Sequence, residues 1–302
     1  MGKEKQLRER LKFAEQMSRQ FYNKPVMLCY SGGKDSDALL QAAINNQIDM
    51  EVVHNHTTAD APETVRHIRA KFHELEMQGI KCTITYPVYK GKPTSMWDLI
   101  VQKQIPPTRL IRYCCSVLKE TSGKNRAILT GVRWAESSRR KNSRGLYENI
   151  TRSKDKKIIL NNDNSDKRKL FESCYKQAKT VTNPLIDWSD DEVMDYLADN
   201  HVVLNPLYSC GYNRVGCIGC PMAGKNRYDE FADYPQYERL YRHAFARMLE
   251  QRNLSGKENK MGWYNENDVF DWWMEKDKGN KNKSKTSASE LTEEEADIEV
   301  ED

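Results

Sequence analysis

The chain has 302 residues, and its 48 Lys or Arg and 44 Asp or Glu residues give a formal net charge of +4 at pH 7. This length allows one large α/β domain with additions, or two small domains. No stretch approaches the roughly eighteen apolar residues of a membrane span, and the N-terminal residues are too charged for a secretory signal. We therefore expect a cytoplasmic protein that does not bind a membrane.

An N-terminal helix is predicted over residues 1–24, followed by a strand, a glycine turn and a second helix. The apolar run Val26–Leu28 indicates the strand, and apolar residues recur at helical spacing over Asp35–Asn45. The glycines of the turn allow close backbone approach, and the amides that open the helix point into the turn. Ser31 and Ser36 add hydroxyl donors to the turn, and Lys34 adds a positive charge. The turn is predicted to bind a pyrophosphate-sized anion; an ordinary glycine-rich turn with a Ser or Asp cap is the alternative.

The loop sequence Ser-Gly-Gly-Lys-Asp-Ser resembles that of the ATP pyrophosphatases, which cleave ATP between its α and β phosphates and adenylate a substrate. The resemblance implies an α/β fold with a doubly wound parallel sheet, and binding of ATP with Mg²⁺. The nucleotide-binding residues that it implies are Ser31, Gly32, Gly33, Lys34, Asp35 and Ser36. Lys34 and Asp35 are the candidate catalytic residues, since the lysine would stabilise charge on departing pyrophosphate. We expect the adenine near Asn55 and Thr57, at the end of the second strand.

Alternation of strand and helix patterns continues after the loop. Further strands are predicted over Ile48–Asn55, Ile80–Tyr86 and Arg126–Val132, with a helix over Pro62–Gln78. This order predicts a parallel sheet with helices on both faces and a ligand site at the carboxyl ends of the strands. Residues 141–178 are polar, and we interpret them as an insertion rather than a core element.

Acidic and histidine residues near the second strand are candidates for other roles. Asp60 and Glu63 are candidate Mg²⁺ ligands, although a carboxylate at Glu63 is favoured in any case at the start of a helix. His54 and His56 are more readily explained by backbone hydrogen bonds than by catalysis.

Four of the eight cysteines form two close pairs. Cys114 and Cys115 are adjacent, and Cys217 and Cys220 form a Cys-x-x-Cys turn with a glycine inside it and a proline after it. A cytoplasmic chain is not expected to use cysteines as a disulfide framework, so metal or redox chemistry is favoured. Zinc and an iron–sulfur cluster both suit the Cys-x-x-Cys turn, whereas adjacent cysteines are harder to place on one tetrahedral zinc.

Two segments resemble the phosphoadenosine phosphosulfate reductase family. One begins at Ile186 with Ile-Asp-Trp-Ser and includes Asn-Pro-Leu-Tyr and Arg-Val-Gly-Cys-x-x-Cys-Pro, and the other is the double-cysteine segment around Arg112. The resemblance extends from about Val26 to Met248. The cluster-bearing branch of the family places four cysteines on one [4Fe-4S] cluster, which implies the ligands Cys114, Cys115, Cys217 and Cys220.

The sequence departs from the sulfonucleotide reductases of that family in two ways. Those enzymes use a nucleophilic cysteine near the C-terminus, whereas here no cysteine follows Cys220. Their phosphate loop is usually degenerate, whereas this loop is intact. The closer resemblance is to the branch that contains the sulfur-transfer enzyme of DNA phosphorothioation. We therefore expect ATP-dependent adenylation and sulfur transfer to a nucleic acid or nucleotide, with a cysteine desulfurase or another protein as sulfur donor. Sulfonucleotide reduction, and nucleotide sensing or DNA binding without turnover, are the alternatives.

Basic residues are concentrated in two stretches. Arg133–Lys157 has nine Lys or Arg against three acids, and the family resemblance assigns Arg133, with Arg139 or Arg140, to the nucleotide phosphates. Arg227–Arg252 interleaves tyrosines with arginines, which suits DNA or RNA, although tyrosines at helical spacing more often pack in a core.

The C-terminal end differs from the rest in composition. We expect a nucleotide-binding domain with its iron–sulfur segment over residues 25–253, a helical extension over 254–275, and a disordered tail over 276–302 that is Lys-rich and then acidic. The last seventeen residues contain eight acids and no Lys or Arg, so residues 1–285 carry a net charge of +12. The tail either has no role or screens a nucleic-acid surface. Among the cysteines outside the two pairs, Cys210, seven residues before the Cys-x-x-Cys turn, is a better candidate sulfur carrier than Cys174, and an inert thiol is the alternative.

Overall fold

The computed structural model describes residues 2–150, 157–161 and 179–275. Cys174 and the expected tail, residues 276–302, lie outside this described part. The chain forms two compact units. The first unit comprises Met1–Asn55, Ala61–Thr85 and Thr121–Gly216, and the second comprises His56–Asp60, Tyr86–Glu120 and Cys217–Asp302.

The first unit is built on a seven-stranded sheet. Its strands in chain order are β1 (Val26–Cys29), β2 (Met50–Asn55), β3 (Lys81–Thr85), β6 (Arg126–Leu129), β7 (Tyr147–Ile150), β8 (Lys157–Leu160) and β9 (Lys179–Thr182). Their order across the sheet is β3-β2-β1-β6-β9-β7-β8. The strands β3, β2, β1, β6 and β9 are parallel to one another, and β7 is antiparallel to both of its neighbours, β9 and β8. The predicted α/β fold with a parallel sheet is confirmed.

Helices flank this sheet. They are α1 (Lys3–Met17), α2 (Lys34–Asn45), α3 (Pro62–Met77), α6 (Ser138–Ser143) and α7 (Asp190–Asp199). Proline opens α3, where a missing N–H costs nothing, and the Ser189 hydroxyl caps α7 by accepting the Glu192 amide at 3.1 Å. The main core includes fully buried Leu11, Leu28 and Leu39. Helices thus cover the parallel sheet, as the βαβ pattern requires.

The interpretation of residues 141–178 as an insertion outside the core is wrong for part of that segment. Strands β7 and β8 extend the sheet, and Tyr147 is fully buried. The sequence concealed this because Glu148 and Asn149 are polar and yet buried. One oxygen of the Glu148 carboxylate accepts hydrogen bonds from Arg144 at 2.7 Å and Asn183 at 2.9 Å, which compensates part of the cost of its burial inside the sheet.

The second unit is mainly helical. Its elements are the hairpin strands β4 (Val88–Tyr89) and β5 (Lys92–Pro93) and the helices α4 (Met96–Lys103), α5 (Tyr113–Leu118), α8 (Asn226–Asp233), α9 (Pro235–Leu254) and α10 (Glu266–Glu275). Aromatic side chains form its core, with the Tyr241 and Trp273 ring centroids 4.7 Å apart and those of Phe245 and Trp273 5.4 Å apart. The predicted C-terminal helical part is confirmed.

Residues of the basic and aromatic stretch Arg227–Arg252 serve this packing. Arg227 is fully buried, donates to the Trp273 carbonyl at 3.0 Å and lies over the Trp273 ring. Arg252 donates to the Gln104 carbonyl at 2.7 Å. These two arginines therefore stabilise the fold; of the tyrosines, Tyr241 is fully buried whereas Tyr228 is 44% exposed, so the packing interpretation holds for Tyr241 and not for Tyr228.

No helix in the described ranges is both long enough and apolar enough to cross a membrane.

Candidate functional site

The glycine turn between β1 and α2 is held in shape by its own serine. The Ser36 hydroxyl accepts the Gly33 amide at 3.1 Å and donates to the Gly33 carbonyl at 2.7 Å. Ser31 donates to the same hydroxyl at 3.2 Å. Residues 31–36 therefore form a closed loop at the carboxyl end of β1, directly before the N-terminus of α2. That position favours an anionic ligand.

Two glycines permit close approaches around this loop. Gly32 has a φ of +73°, and a Cβ there would lie 2.9 Å from the Ile68 side chain. Gly131, just beyond β6, leaves no room for a Cβ, which would lie 2.8 Å from the Asp35 carbonyl oxygen. The sequence analysis did not single out Gly131, although a glycine directly after a buried strand signals a close approach.

Replacing Gly32 by alanine is expected to weaken ATP binding at least tenfold, because both its backbone angle and the Ile68 contact oppose a Cβ. Gly91→Ala is the matched control, since Gly91 also has a φ of +73° but nothing within 4 Å of a Cβ. Isothermal titration with ATP measures both variants. Equal losses in the two would show that crowding at the loop is not the cause.

Residues of the Asn-Pro-Leu-Tyr motif support the loop from a distant part of the chain. The Asn205 amide donates to the Gly32 carbonyl at 3.0 Å, and the Tyr208 hydroxyl accepts the Lys34 amide at 2.9 Å. Burial raises the pKa of Tyr208 to about 12, so its hydroxyl stays neutral. The sequence analysis noted this motif only as a family feature and missed its contact with the loop.

A network of charges surrounds the start of α2. The Lys34 ammonium lies 2.8 Å from an Asp190 carboxylate oxygen, and Arg133 lies 2.8 Å from the same oxygen. The Arg133 Nε donates to Asp35 at 2.7 Å. Hydrogen bonds from Lys34 and Arg133 lower the pKa of Asp190, whereas burial raises the pKa of Asp35 against the opposing effect of Arg133. Asp190, which the sequence analysis missed, is thus the acceptor for both cations.

The predicted phosphate ligand Arg133 already has three protein partners. Besides the two aspartates, it donates to the Trp188 carbonyl at 3.1 Å, and only 1% of its side chain is exposed. In these contacts it acts as a positioning residue for Asp35, and a direct phosphate contact stays a prediction. Arg140 pairs with Glu136.

The two residues expected near adenine fall in different units. Asn55, at the end of β2, donates to the Ser122 hydroxyl at 2.8 Å within the first unit. Thr57 belongs to the second unit, where its amide donates to Asp60 at 2.8 Å and its hydroxyl accepts from the Cys217 thiol at 3.3 Å. Their contact with adenine stays a prediction. The His54 imidazole bonds to the Tyr30 carbonyl at 3.0 Å, as expected for a satisfied histidine.

All four predicted cluster ligands lie in the second unit, whereas Cys29, Cys82 and Cys210 lie in the first. Cys114 and Cys115 lie in the first turn of α5. The Cys-x-x-Cys turn pairs with residues 56–60 through a bridge between Asp60 and Cys217 and a hydrogen bond of 2.8 Å from the Ile218 amide to the Ala59 carbonyl.

The Cys-x-x-Cys turn is fixed by buried groups around it. Gly219 adopts a φ of +71°, and its amide donates to Glu230 at 2.7 Å. The Tyr241 hydroxyl donates to the Ile218 carbonyl at 3.0 Å. These hydrogen bonds fix the backbone of the turn around the two cysteines.

The four thiols act on one another electrostatically. A hydrogen bond with Cys115, burial, and interaction with Cys115, Cys217 and Cys220 all raise the pKa of Cys114. The same hydrogen bond lowers the pKa of Cys115 to about 5, and burial raises that of Cys217 to about 11. The two cysteine pairs therefore influence each other electrostatically, although no three of the four sulfurs lie within 4.8 Å of one another.

Two cations accompany these sulfurs. The Arg112 guanidinium donates to the Cys115 sulfur at 3.2 Å. Lys119 is exposed overall, yet its pKa is raised, first by Cys217 and also by Asp60, Cys220 and Cys115. Positive groups beside four sulfurs favour thiolates, which are the form that binds metal. An all-sulfur donor set with balancing cations fits an iron–sulfur cluster, and the adjacent pair again disfavours one tetrahedral zinc.

Comparison with known proteins places these features in context. Residues 25–223 match the family model of the phosphoadenosine phosphosulfate reductase domain. An uncharacterized protein of Methanocaldococcus jannaschii is 29% identical over 208 residues, which cover 67% of this chain and 42% of that protein. An adenosine 5'-phosphosulfate reductase of Mycobacterium bovis is 44% identical over 50 residues, which are 17% of this chain and 19% of that protein.

Among solved structures, one similar chain is the U34-tRNA thiolase NcsA of Methanococcus maripaludis with its [4Fe-4S] cluster. The two sequences are 14% identical, the aligned part covers 84% of this chain and 83% of the thiolase chain, and the TM-score is 0.39. A likeness at that score carries no argument about activity. The chain spans less than half the length of the curated relatives that it matches.

Proposed function

This chain belongs to the phosphoadenosine phosphosulfate reductase family, and we propose that it is an ATP-dependent adenylating enzyme that releases pyrophosphate and supports sulfur transfer. The observation that carries the proposal is the intact loop at the N-terminus of α2, with the Lys34 ammonium held 2.8 Å from Asp190. A phosphate-sized anion at this position meets helix amides and a lysine together.

The loop residues account for the activation step. The β and γ phosphates of ATP lie in residues 31–36, and Mg²⁺ accompanies ATP as its counter-ion. An oxygen of the acceptor attacks the α phosphorus, the bond to the β-phosphate oxygen breaks, and pyrophosphate leaves with that electron pair. The products are an adenylated acceptor and pyrophosphate. Lys34 exchanges Asp190 for the departing pyrophosphate and stabilises its growing charge.

The neighbouring charges keep this lysine in place before ATP binds. Asp190 is 59% exposed, so a stronger anion can displace it from Lys34. Arg133 retains Asp190 through its own contact of 2.8 Å and holds Asp35 beside the loop. The arrangement therefore positions Lys34 without burying its charge in a permanent ion pair.

The thiol group supports the second half of the proposal. Cys114, Cys115, Cys217 and Cys220 would hold a [4Fe-4S] cluster, which supplies a site where sulfur can be bound and delivered. The protein's own contribution is the hydrogen-bonded Cys-x-x-Cys turn and the cations Arg112 and Lys119. The proposed acceptor is a nucleic acid or nucleotide, and the proposed sulfur donor is a cysteine desulfurase or another sulfur-carrying protein.

Sulfonucleotide reduction is the second candidate function, because a stretch of 50 residues is 44% identical to an adenosine 5'-phosphosulfate reductase. The intact loop favours adenylation instead. Incubation of the full chain with ATP and candidate acceptors, with AMP and pyrophosphate as the readout, tests the proposal. Sulfite release with thioredoxin would support the reductase, and tight ATP binding without pyrophosphate would support a regulator.

The charge of the body of the chain predicts polyanion binding. With a net charge of +12 on residues 1–285, affinity for DNA or RNA is expected to fall steeply between about 50 and 200 mM salt. Deletion of the acidic residues 286–302 is expected to strengthen binding. Fluorescence anisotropy with labelled oligonucleotides measures both effects. If the protein does not bind nucleic acid even at the lower salt concentration, the acceptor is a small molecule.

A further inference from the structure

A groove of about 480 Å³ in the second unit has positively charged walls. It is lined by Tyr89 and Lys90 of the hairpin, by Lys103 and Gln104 at the end of α4, and by Lys257 beyond α9. None of its lining residues is acidic. The sequence analysis assigned no role to these residues.

The most informative of them is Lys103. Only 8% of this residue is exposed, and its ammonium lies 4.9 Å from the centroid of the Tyr89 ring. Within the described part of the chain, no hydrogen bond or ion pair involves this ammonium, whose partner is the Tyr89 ring. The stem of the side chain is buried, whereas the ammonium is not among the fully buried polar atoms. Lys103 therefore presents a positive charge to the groove without a carboxylate beside it.

A second lysine approaches the same aromatic ring. The Lys90 ammonium lies 5.7 Å from the Tyr89 centroid, and Lys257 adds a third positive charge to the groove. Like charges that share a partly enclosed site repel one another unless a counter-charge lies between them. The groove thus has the electrostatic character of an anion site.

Gln104 adds a requirement that a simple anion does not meet. Its amide nitrogen donates to the Ser255 hydroxyl at 2.8 Å, and that hydroxyl donates in turn to the Gln251 carbonyl at 2.7 Å. This chain of donors fixes the orientation of the amide and leaves the buried Gln104 Oε1 with no partner in the described structure. A ligand for the groove should therefore carry an anion for Lys103 and an N–H or O–H donor for Gln104.

We propose that this groove binds a phosphate group of a nucleic-acid strand, with Lys103 and Lys90 on the phosphate and Gln104 Oε1 accepting from a sugar hydroxyl or base amine. Phosphate, sugar and base supply the anion and the donor in one ligand. The choice of a strand over a free nucleotide rests on the proposed function, whereas the phosphate site itself does not.

Lys103→Met tests the proposal because it keeps the length of the side chain and removes its charge. Binding of a labelled single-stranded oligonucleotide to the full chain is measured by anisotropy across a salt series. We expect affinity to fall about tenfold and the slope of log affinity against log salt to decrease by about 0.7, the value for one phosphate contact on a single strand. Lys103→Arg should retain binding. Lys81→Met is the control, since Lys81 is 73% exposed and lies outside the groove.

Other measurements separate the possible outcomes. If thymidine monophosphate, but not the oligonucleotide, distinguishes Lys103→Met from wild type, the phosphate site stands and its ligand is a free nucleotide. Equal affinity and slope in Lys103→Met and Lys81→Met would overturn the proposal. Pyrophosphate release without acceptor should be unchanged in Lys103→Met, so a failure of the adenylation proposal would be seen separately.

Discussion

Replacing any one of Cys114, Cys115, Cys217 and Cys220 by alanine is expected to remove iron and colour from anaerobically purified protein. Wild-type protein should be brown and contain about four irons per chain, as a [4Fe-4S] cluster requires. The reason is that a [4Fe-4S] cluster is held by four thiolates, so the loss of one ligand leaves one iron without its thiolate. Each variant should also unfold at lower temperature, because bound metal stabilises the folded form.

The remaining thiols of the described part provide the controls. Cys29→Ala, Cys82→Ala and Cys210→Ala should leave iron content unchanged, since all three residues lie in the first unit. Burial raises the pKa of Cys29 to about 11, as expected for an inert thiol. Anaerobic metal analysis that found one zinc and no iron would refute the cluster, and the loop-based proposal would then stand alone.

Replacing Lys34 by alanine is expected to reduce pyrophosphate release by about 10²–10³-fold, the usual effect of removing one group that stabilises a transition-state charge. Asp35→Ala should abolish release as well, because it leaves the buried Arg133 without one of its two carboxylate partners beside the loop. Pyrophosphate is measured by a coupled assay, and circular dichroism checks that each variant is folded. Lys24→Ala is the matched control, since Lys24 is an exposed lysine of the same unit.

Asp190→Asn separates positioning from catalysis. The variant removes the 2.8 Å ion pair that holds Lys34 but keeps the lysine itself. We expect a change in the KM for ATP with a smaller loss of kcat than in Lys34→Ala. Wild-type rates in Lys34→Ala would contradict the catalytic role of the loop.

The parallel part of the sheet could be predicted from the sequence because its strands are short apolar runs separated by helical patterns. Hydropathy failed at β7, where Glu148 is buried and one of its carboxylate oxygens accepts from Arg144 and Asn183. Hydropathy assigns a glutamate to the surface, because the sequence does not show the partners that stabilise its carboxylate in the fold. The two-unit organisation was also not predicted, because residues 56–60 and 86–120 join the C-terminal helices through contacts distant in the chain.

The phosphate loop could be predicted because all of its residues are consecutive. Its supports could not, because Asn205 and Tyr208 are more than 170 positions away from the residues that they contact. The sequence also did not reveal that the Thr57 hydroxyl accepts from the Cys217 thiol, and its contact with adenine stays a prediction. Pairwise contacts of this kind depend on the fold and leave no local pattern in the sequence.

The bond that is cleaved in ATP tests the central claim most directly. The full chain is incubated with Mg²⁺ and ATP labelled at the α phosphate, together with candidate nucleic-acid acceptors, and the products are separated. Adenylation predicts label in AMP or on the acceptor, with unlabelled pyrophosphate formed in equal amount, and no such products with Lys34→Ala. Labelled ADP with inorganic phosphate, or bound ATP that is never cleaved, would contradict the account.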